Sequence, residues 1–311
     1  MLRKIEIAGG AAGPRLLVTG GVHGDEYEPM VACRRLVAAL CPAAADREGR
    51  LVGDAFECAA LRGQVSVIPC VNEPAFVRGT RTADDGLDLA RICPGNPTGS
   101  ITEQIGHALS EEIRQADYYI DLHTGGLAYR IWPLAGYTLH PDPTILAEQR
   151  RMARAFNLPV IWGTSPALNG RSLSVARDAG VPAIYAEYQG GSDCRIDGVE
   201  AYLAGCLNVL GELGMMPRSP FESRCRYVVE DEREGSGHFQ VKQPAPITGI
   251  FTPCVELGDR VGQGARLGVV HSADGRAQTD VVADNAGLVL MLPAVPRVVA
   301  GQATAAVLEV T

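Results

Sequence analysis

Gly20-Gly21-Val22-His23-Gly24-Asp25-Glu26 follows Leu16-Leu17-Val18-Thr19, an apolar run that reads as a buried strand. Pro29 is placed to open a helix, with Glu28 as a weak cap. His23 and Glu26 therefore fall where a strand has ended and a helix has not begun. In open α/β sheets, binding sites form at the carboxyl ends of strands. With two residues between them, an imidazole and a carboxylate can face one ion, and Zn²⁺ accepts such N and O donors at about 2.0–2.2 Å. Flanking glycines let the backbone turn tightly. Alone, the pattern also fits a polar loop with a solvated Glu, so a third ligand is required.

One candidate stands out. Tyr118-Tyr119-Ile120-Asp121-Leu122-His123-Thr124-Gly125-Gly126 is another strand entering a glycine turn, and His123 lies far downstream of Glu26. Two closely spaced ligands and one distant one, with a position left for water, is the catalytic zinc pattern. Asp121 precedes His123 by two residues. It shares His123's strand face, placing it either beside the metal or in a core hydrogen bond. Ala183–Tyr188 reads as a strand carrying Glu187 near its end. An ionised Glu is costly there unless it is paired or functional. An arginine in the core would satisfy it; beside a metal it becomes a general base.

Composition narrows the class. The chain has 311 residues, 46% hydrophobic, enough for one large domain or two unequal ones. Net charge is −8 and no basic stripe stands out, which argues against a nucleic-acid partner. Nine cysteines, an odd number without Cys-x-x-Cys, point to reduced thiols in a cytoplasm. No apolar run reaches membrane-spanning length.

Along the chain, residues 1–7 read as an edge strand and 15–21 as a core strand. A helix covers 29–40, residues 41–63 are loop-rich, and a strand covers 65–71. Residues 72–99 form a long irregular stretch of the kind that is usually functional. Ser100 and Glu103 form a capping box before another helix. Helices after Asp142 and over 199–213, with strands at 158–162 and 183–188, complete an α/β alternation. From residue 227 short β-branched runs alternate with turns. The expected division is a catalytic α/β domain over 1–220 and a small all-β domain over 221–311. His107 reads as a helix-surface residue; His140, His238 and His271 read as loop residues.

Four motifs in order, Gly21-Val22-His23-Gly24-Asp25-Glu26, Asp88-Leu89-Ala90-Arg91-x-x-Pro94-Gly95, Asp121-Leu122-His123-Thr124 and Glu187 before Gly190-Gly191, resemble the succinylglutamate desuccinylase/aspartoacylase family. These are zinc amidohydrolases related to metallocarboxypeptidases. The resemblance covers about residues 15–215, and the β-rich tail is also similar to the family's C-terminal domain. It implies a zinc-carboxypeptidase-like mixed sheet flanked by helices. It further implies one zinc per chain on His23, Glu26 and His123, with Glu187 as general acid/base. It implies an oxyanion-stabilising arginine in the long loop: Arg81 is the better match, Arg78 the alternative. Arg91 would grip a substrate carboxylate. The family usually has Asn-Arg where this chain has Ala90-Arg91, which puts the substrate in question.

The leading expectation is a deacylase cleaving the amide bond of a small N-acylated amino acid or related amine. A metallocarboxypeptidase acting on short peptides is the nearest rival. A carrier or metal-binding protein is the rival from another class. Gly258-Asp259-x-Val261-x-x-Gly264 is similar to biotinyl and lipoyl carrier domains, but no lysine follows Lys242 to accept the group. The expected partner is a small molecule, and the sequence leaves room for a homo-oligomer.

Overall fold

The computed structural model describes residues 2–47 and 50–310. The elements, in chain order, are β1 (Ile5–Thr19), α1 (Tyr27–Leu40), β2 (Ala55–Ile68), α2 (Glu73–Arg78), α3 (Leu89–Ile92) and α4 (Ile101–Gln115). Then come β3 (Tyr118–His123), β4 (Tyr129–Thr138), α5 (Pro143–Phe156), β5 (Val160–Thr164), α6 (Ser172–Ala179), β6 (Ala183–Gly190), α7 (Ile196–Glu212) and β7 (Tyr227–Glu230). The remainder is β8 (Gly249–Pro253), β9 (Arg260–Val261), β10 (Arg266–His271), β11 (Gln278–Val282), β12 (Gly287–Pro293), β13 (Arg297–Val298) and β14 (Ala306–Leu308).

The main path of the large sheet runs β14-β12-β4-β6-β3-β1-β2. Its centre, β1-β3-β6, is parallel. Parallel strands need crossovers and are covered on both faces, so they read as continuous apolar runs. β3 fits: five of its six residues are buried. One face is packed by α1, α5 and α7 through Leu36, Val37, Phe156, Tyr202 and Val209. The other is packed by α3, α4 and α6 through Leu89, Ile105, Leu109 and Leu173. In α4 the buried Ile105, Leu109 and Ile113 recur every four residues. Glu103 closes the expected box by accepting the Ser100 N–H at 2.8 Å.

Several local expectations change. The runs at 1–7 and 15–21 belong to one bent β1. Val65 pairs with both Ile7 and Leu16, so the second half of β2 lies between the two halves of β1. The first half of β2 falls within the stretch read as loop; it is an edge that is mostly exposed and shows no alternation of apolar and polar residues. The first helix begins at Tyr27, ahead of Pro29. Glu28 does not cap it; buried in the first turn, its carboxylate accepts the Arg195 N–H at 3.2 Å. β4 and α6 were not foreseen, and His271 ends a strand.

The tail contributes to both sheets. β8, β10, β11 and β13 form a separate four-stranded sheet. β12 instead pairs antiparallel with β4, with Met291 opposite Ile131, and β7 pairs parallel with β5. Among the described residues no helix is long and apolar enough to cross a membrane.

The turn after β1 is held by backbone bonds from Val71 N to Gly20 O (3.0 Å) and Asn72 N to Gly21 O (2.8 Å). It is packed so closely that a Cβ on Gly24 would lie 2.0 Å from the Ala75 carbonyl carbon. Backbone cannot yield as a side-chain tip can. Gly24→Ala should therefore lower stability by about 1–3 kcal/mol, the usual range for overpacking. A denaturant midpoint equal to wild type would disprove this packing.

Candidate metal centre

The strand order brings separate parts of the chain to one place. β1 ends at the turn carrying His23 and Glu26, β3 ends on His123, and Glu187 of β6 is the register partner of His123. Asp25 ties two of these ends together by accepting the Leu127 N–H at 2.9 Å. Gly126 makes this approach feasible: its φ is +55°, and a Cβ there would meet the Asp25 carboxylate at 2.6 Å.

Both imidazoles converge on one carboxylate. His23 Nδ1 lies 2.7 Å from Glu26 Oε1, and His123 Nδ1 lies 3.0 Å from Glu26 Oε2. One ligand atom from each of the three residues can be chosen so that all lie within 4.8 Å of one another. The opposite ring nitrogens also meet carboxylates: His23 Nε2 with Asp88 Oδ1 at 3.2 Å, and His123 Nε2 with Asp121 Oδ2 at 3.1 Å. A carboxylate on one ring nitrogen fixes the proton there and leaves the other lone pair free for a metal. This donor set fits a divalent cation such as zinc. Asp121 combines both roles read from the sequence, since it also accepts from Thr19 Oγ1 (2.8 Å) and from Ser172 Oγ.

The charges agree with that fit. Burial pushes Glu26 up, but the charges of His23 and His123 prevail and hold it well below the usual carboxylate range. Burial pushes His123 down, and Asp121 and Glu26 more than reverse this. An anion-rich, buried cluster of this kind favours a cation between the ligands.

Around the cluster lies a cavity of about 160 Å³ lined by His23, Glu26, His123, Glu187, Arg81 and Arg91, among others. Glu187 is buried and its Oε2 has no hydrogen-bond partner. Burial raises its pKa to about 8, opposed by His123 and reinforced by Glu26. Arg81 donates to Asp88 Oδ2 from Nε (3.1 Å) and Nη2 (3.0 Å), and its Nη1 lies 3.9 Å from Glu26 Oε1. Asp88 thus orients an imidazole and a guanidinium together. Arg91 donates to the Ala90 carbonyl at 2.7 Å. Arg78 is not among the residues that line the cavity; it pairs with Asp84 at the surface.

Tyr185, Arg171 and His238 are among the wall residues that escaped the sequence reading. Tyr185 shares a strand face with Glu187, a two-residue spacing that could have identified it. Arg171 caps the unforeseen α6; its backbone N–H is held by Ser174 Oγ at 2.9 Å. His238 was read as a loop residue, and no spacing marked it. It reaches the cavity because the chain between β7 and β8 returns there, anchored by Ser236 Oγ accepting the Ser165 N–H at 2.7 Å.

Glu187 also has a consequence for stability in metal-free protein. Its folded pKa of about 8 exceeds the ordinary value of 4.5. Below the lower value both states are protonated. Between the two, the unfolded state loses the proton first, so stability falls as pH rises through this window and levels off above it. Glu187→Gln removes the titration. Thermal melts of both metal-free proteins from pH 4.5 to 9 should diverge accordingly, and parallel curves would refute the raised carboxyl.

The succinylglutamate desuccinylase/aspartoacylase catalytic-domain model matches residues 12–213. An N-alpha-acetyl-L-2,4-diaminobutyric acid deacetylase from Halomonas elongata is 37% identical over 153 residues. That match covers 47% of this chain and 39% of the relative, so the chain spans about two fifths of that relative's length. Among solved structures, a succinylglutamate desuccinylase/aspartoacylase from Rhodobacter sphaeroides aligns with a TM-score of 0.85 at 28% identity, covering 100% of this chain and 89% of that one. The product-bound ectoine utilization protein EutE (DoeB) from Ruegeria pomeroyi gives 0.82 at 27% identity, covering 97% and 87%. With the sheet order, the converging His-Glu-His cluster and a match over most of the catalytic part, this chain belongs to the succinylglutamate desuccinylase/aspartoacylase family.

Proposed function

We propose that the protein is a zinc-dependent deacylase that cleaves the amide bond of a small N-acylated amino acid or related amine. The observation that carries this reading is Glu187: a buried carboxylate with a free oxygen, lining the same cavity as a three-residue cation site. His23, Glu26 and His123 would hold the zinc, which when bound would supply Lewis-acid polarisation of a carbonyl and a lowered pKa for water. Glu187 takes the proton of the attacking water and returns it to the departing amine, whose pKa range its raised value suits. Arg81, oriented by Asp88, faces the oxygen on which negative charge develops. Arg91 and Arg171 receive a substrate carboxylate.

The division of labour follows. Residues 1–220 hold the catalytic groups, and residues 221–311 supply a wall through Gly237, His238, Gln240 and Val241. That wall and the small cavity favour an N-acyl amino acid over a peptide running through an open cleft. The nine free cysteines favour a reducing cytoplasm.

The substrate is narrowed by Ala90, which lines the pocket where the family usually has an Asn. A hydrogen bond to a charged group contributes about 1.5–3 kcal/mol, or about ten- to over a hundredfold in affinity. N-acetylaspartate and N-succinylglutamate should therefore be poor substrates. The Halomonas relative makes N-alpha-acetyl-L-2,4-diaminobutyrate the first compound to try. A panel of these three with other N-acyl amino acids and short peptides, assayed by release of free amine, tests the reading. Peptide cleavage without deacylation would replace it with a carboxypeptidase, and a high kcat/KM on N-acetylaspartate would show that Ala90 is compensated.

Three variants test the chemistry. Glu187→Gln should keep its zinc and lose about 10²–10⁴ in kcat, the range of general acid–base catalysis. His23→Ala and His123→Ala should lose the metal, measured by elemental analysis. Undiminished turnover in Glu187→Gln would move the base elsewhere.

A further inference from the structure

The three arginines of the pocket are held in two different ways. Arg81 is ion-paired with Asp88. Arg91 and Arg171 are held by neutral acceptors, and among the described residues neither has an ion-pair partner within 4.0 Å. Arg91 donates to the Ala90 carbonyl. Arg171 Nη2 lies 3.4 Å from the Gly237 carbonyl oxygen and 3.4 Å from His238 Nδ1. Its Nε is buried without a partner. A carboxylate would orient a guanidinium but also cancel much of its charge. A carbonyl and an imidazole lone pair orient it and leave the charge for a ligand.

Both acceptors come from the segment between β7 and β8. That segment is fixed against the end of β5 by the Ser236–Ser165 bond. Gly237 has φ +86°, and a Cβ there would lie 3.0 Å from a Leu168 methyl and 3.1 Å from the Thr164 side chain. The bonds at 3.4 Å are long, so each is weak alone and the pair sets direction more than strength.

We propose that His238 is a positioning residue for Arg171: its Nδ1 accepts from the guanidinium and turns it toward the pocket, completing a two-arginine carboxylate subsite with Arg91. This rests on the deacylase reading for what fills the subsite. The role requires the Nε2–H tautomer. His238 stays neutral because burial and the charges of Arg171 and Arg91 lower its pKa. The mutual repulsion is visible on Arg171 too, whose pKa falls to about 10 through burial and the Arg91 charge. A ligand carboxylate relieves that repulsion.

The test has two arms. Long-range ¹⁵N–¹H correlation on histidine-labelled full-length protein, with His238→Asn for assignment, reads the tautomer at neutral pH. An unprotonated Nδ1 with Nε2–H is expected, and an Nδ1–H or doubly protonated ring overturns the proposal. In the second arm, kinetics on the best N-acyl amino acid of the panel compare three proteins. His238→Ala should raise KM about tenfold, with kcat within about twofold and zinc content unchanged. His238→Asn, whose amide oxygen can replace Nδ1, should restore most of the affinity. An unchanged KM in His238→Ala, or a loss confined to kcat, would overturn it. If wild type hydrolyses no N-acyl amino acid the deacylase reading fails, and the tautomer still decides the pairing of His238 with Arg171.

Discussion

Two imidazoles share one buried carboxylate, and much of the site's architecture serves that arrangement. Glu26 is 1% exposed, and an ion so placed is tolerable only if matched by positive charge and hydrogen bonds. His23 and His123 provide both, but each must present a particular ring nitrogen. Asp88 and Asp121 secure this from behind, and each is itself secured, by Arg81 and by Thr19 and Ser172. The cluster is therefore a chain of alternating charges in which each member is oriented by the next. Such networks are strong when fully satisfied and fragile when one member is lost.

The parallel sheet makes this possible with residues distant in sequence. β1, β3 and β6 run side by side in one direction, so their carboxyl ends coincide. The Glu26–His123 contact bridges 97 residues, yet it needs only that two neighbouring strands stop at the same level. Asp25 and Gly126 then bring the following loops together.

How much of this the sequence disclosed depended on whether a residue's signal was local. His23 and Glu26 share one turn, and Asp121 and His123 share one strand face, so spacing alone placed them. Glu187 was found because a charge at the end of an apolar strand demands a reason. Arg81, Arg91 and Arg78 came from family resemblance; Arg78 pairs with Asp84 outside the cavity lining, because an arginine's long side chain goes to whichever carboxylate the fold provides. Arg171 and His238 carried no local mark. One depends on a short helix with a modest apolar face, the other on a β-rich segment folding back. β4 was missed because it follows a glycine turn and has no tight hairpin partner in sequence; its neighbours are β5, β6 and the remote β12.

The pairing of β12 with β4 has a bearing on synthesis. A chain emerging from the ribosome has made every metal-ligand candidate by residue 123 and the buried Glu187 soon after. Yet residues 129–131 of β4 lack their partner on one side until residues 287–293 appear, and the pocket lacks its far wall until residues 237–241 do. A chain that stopped short of residue 237 would lack that wall and leave the His-Glu-His cluster open on its side. The residues of the cation cluster and those that enclose the cavity thus come from different parts of the chain, the first from the ends of the central strands and the second in part from the segment that returns to them.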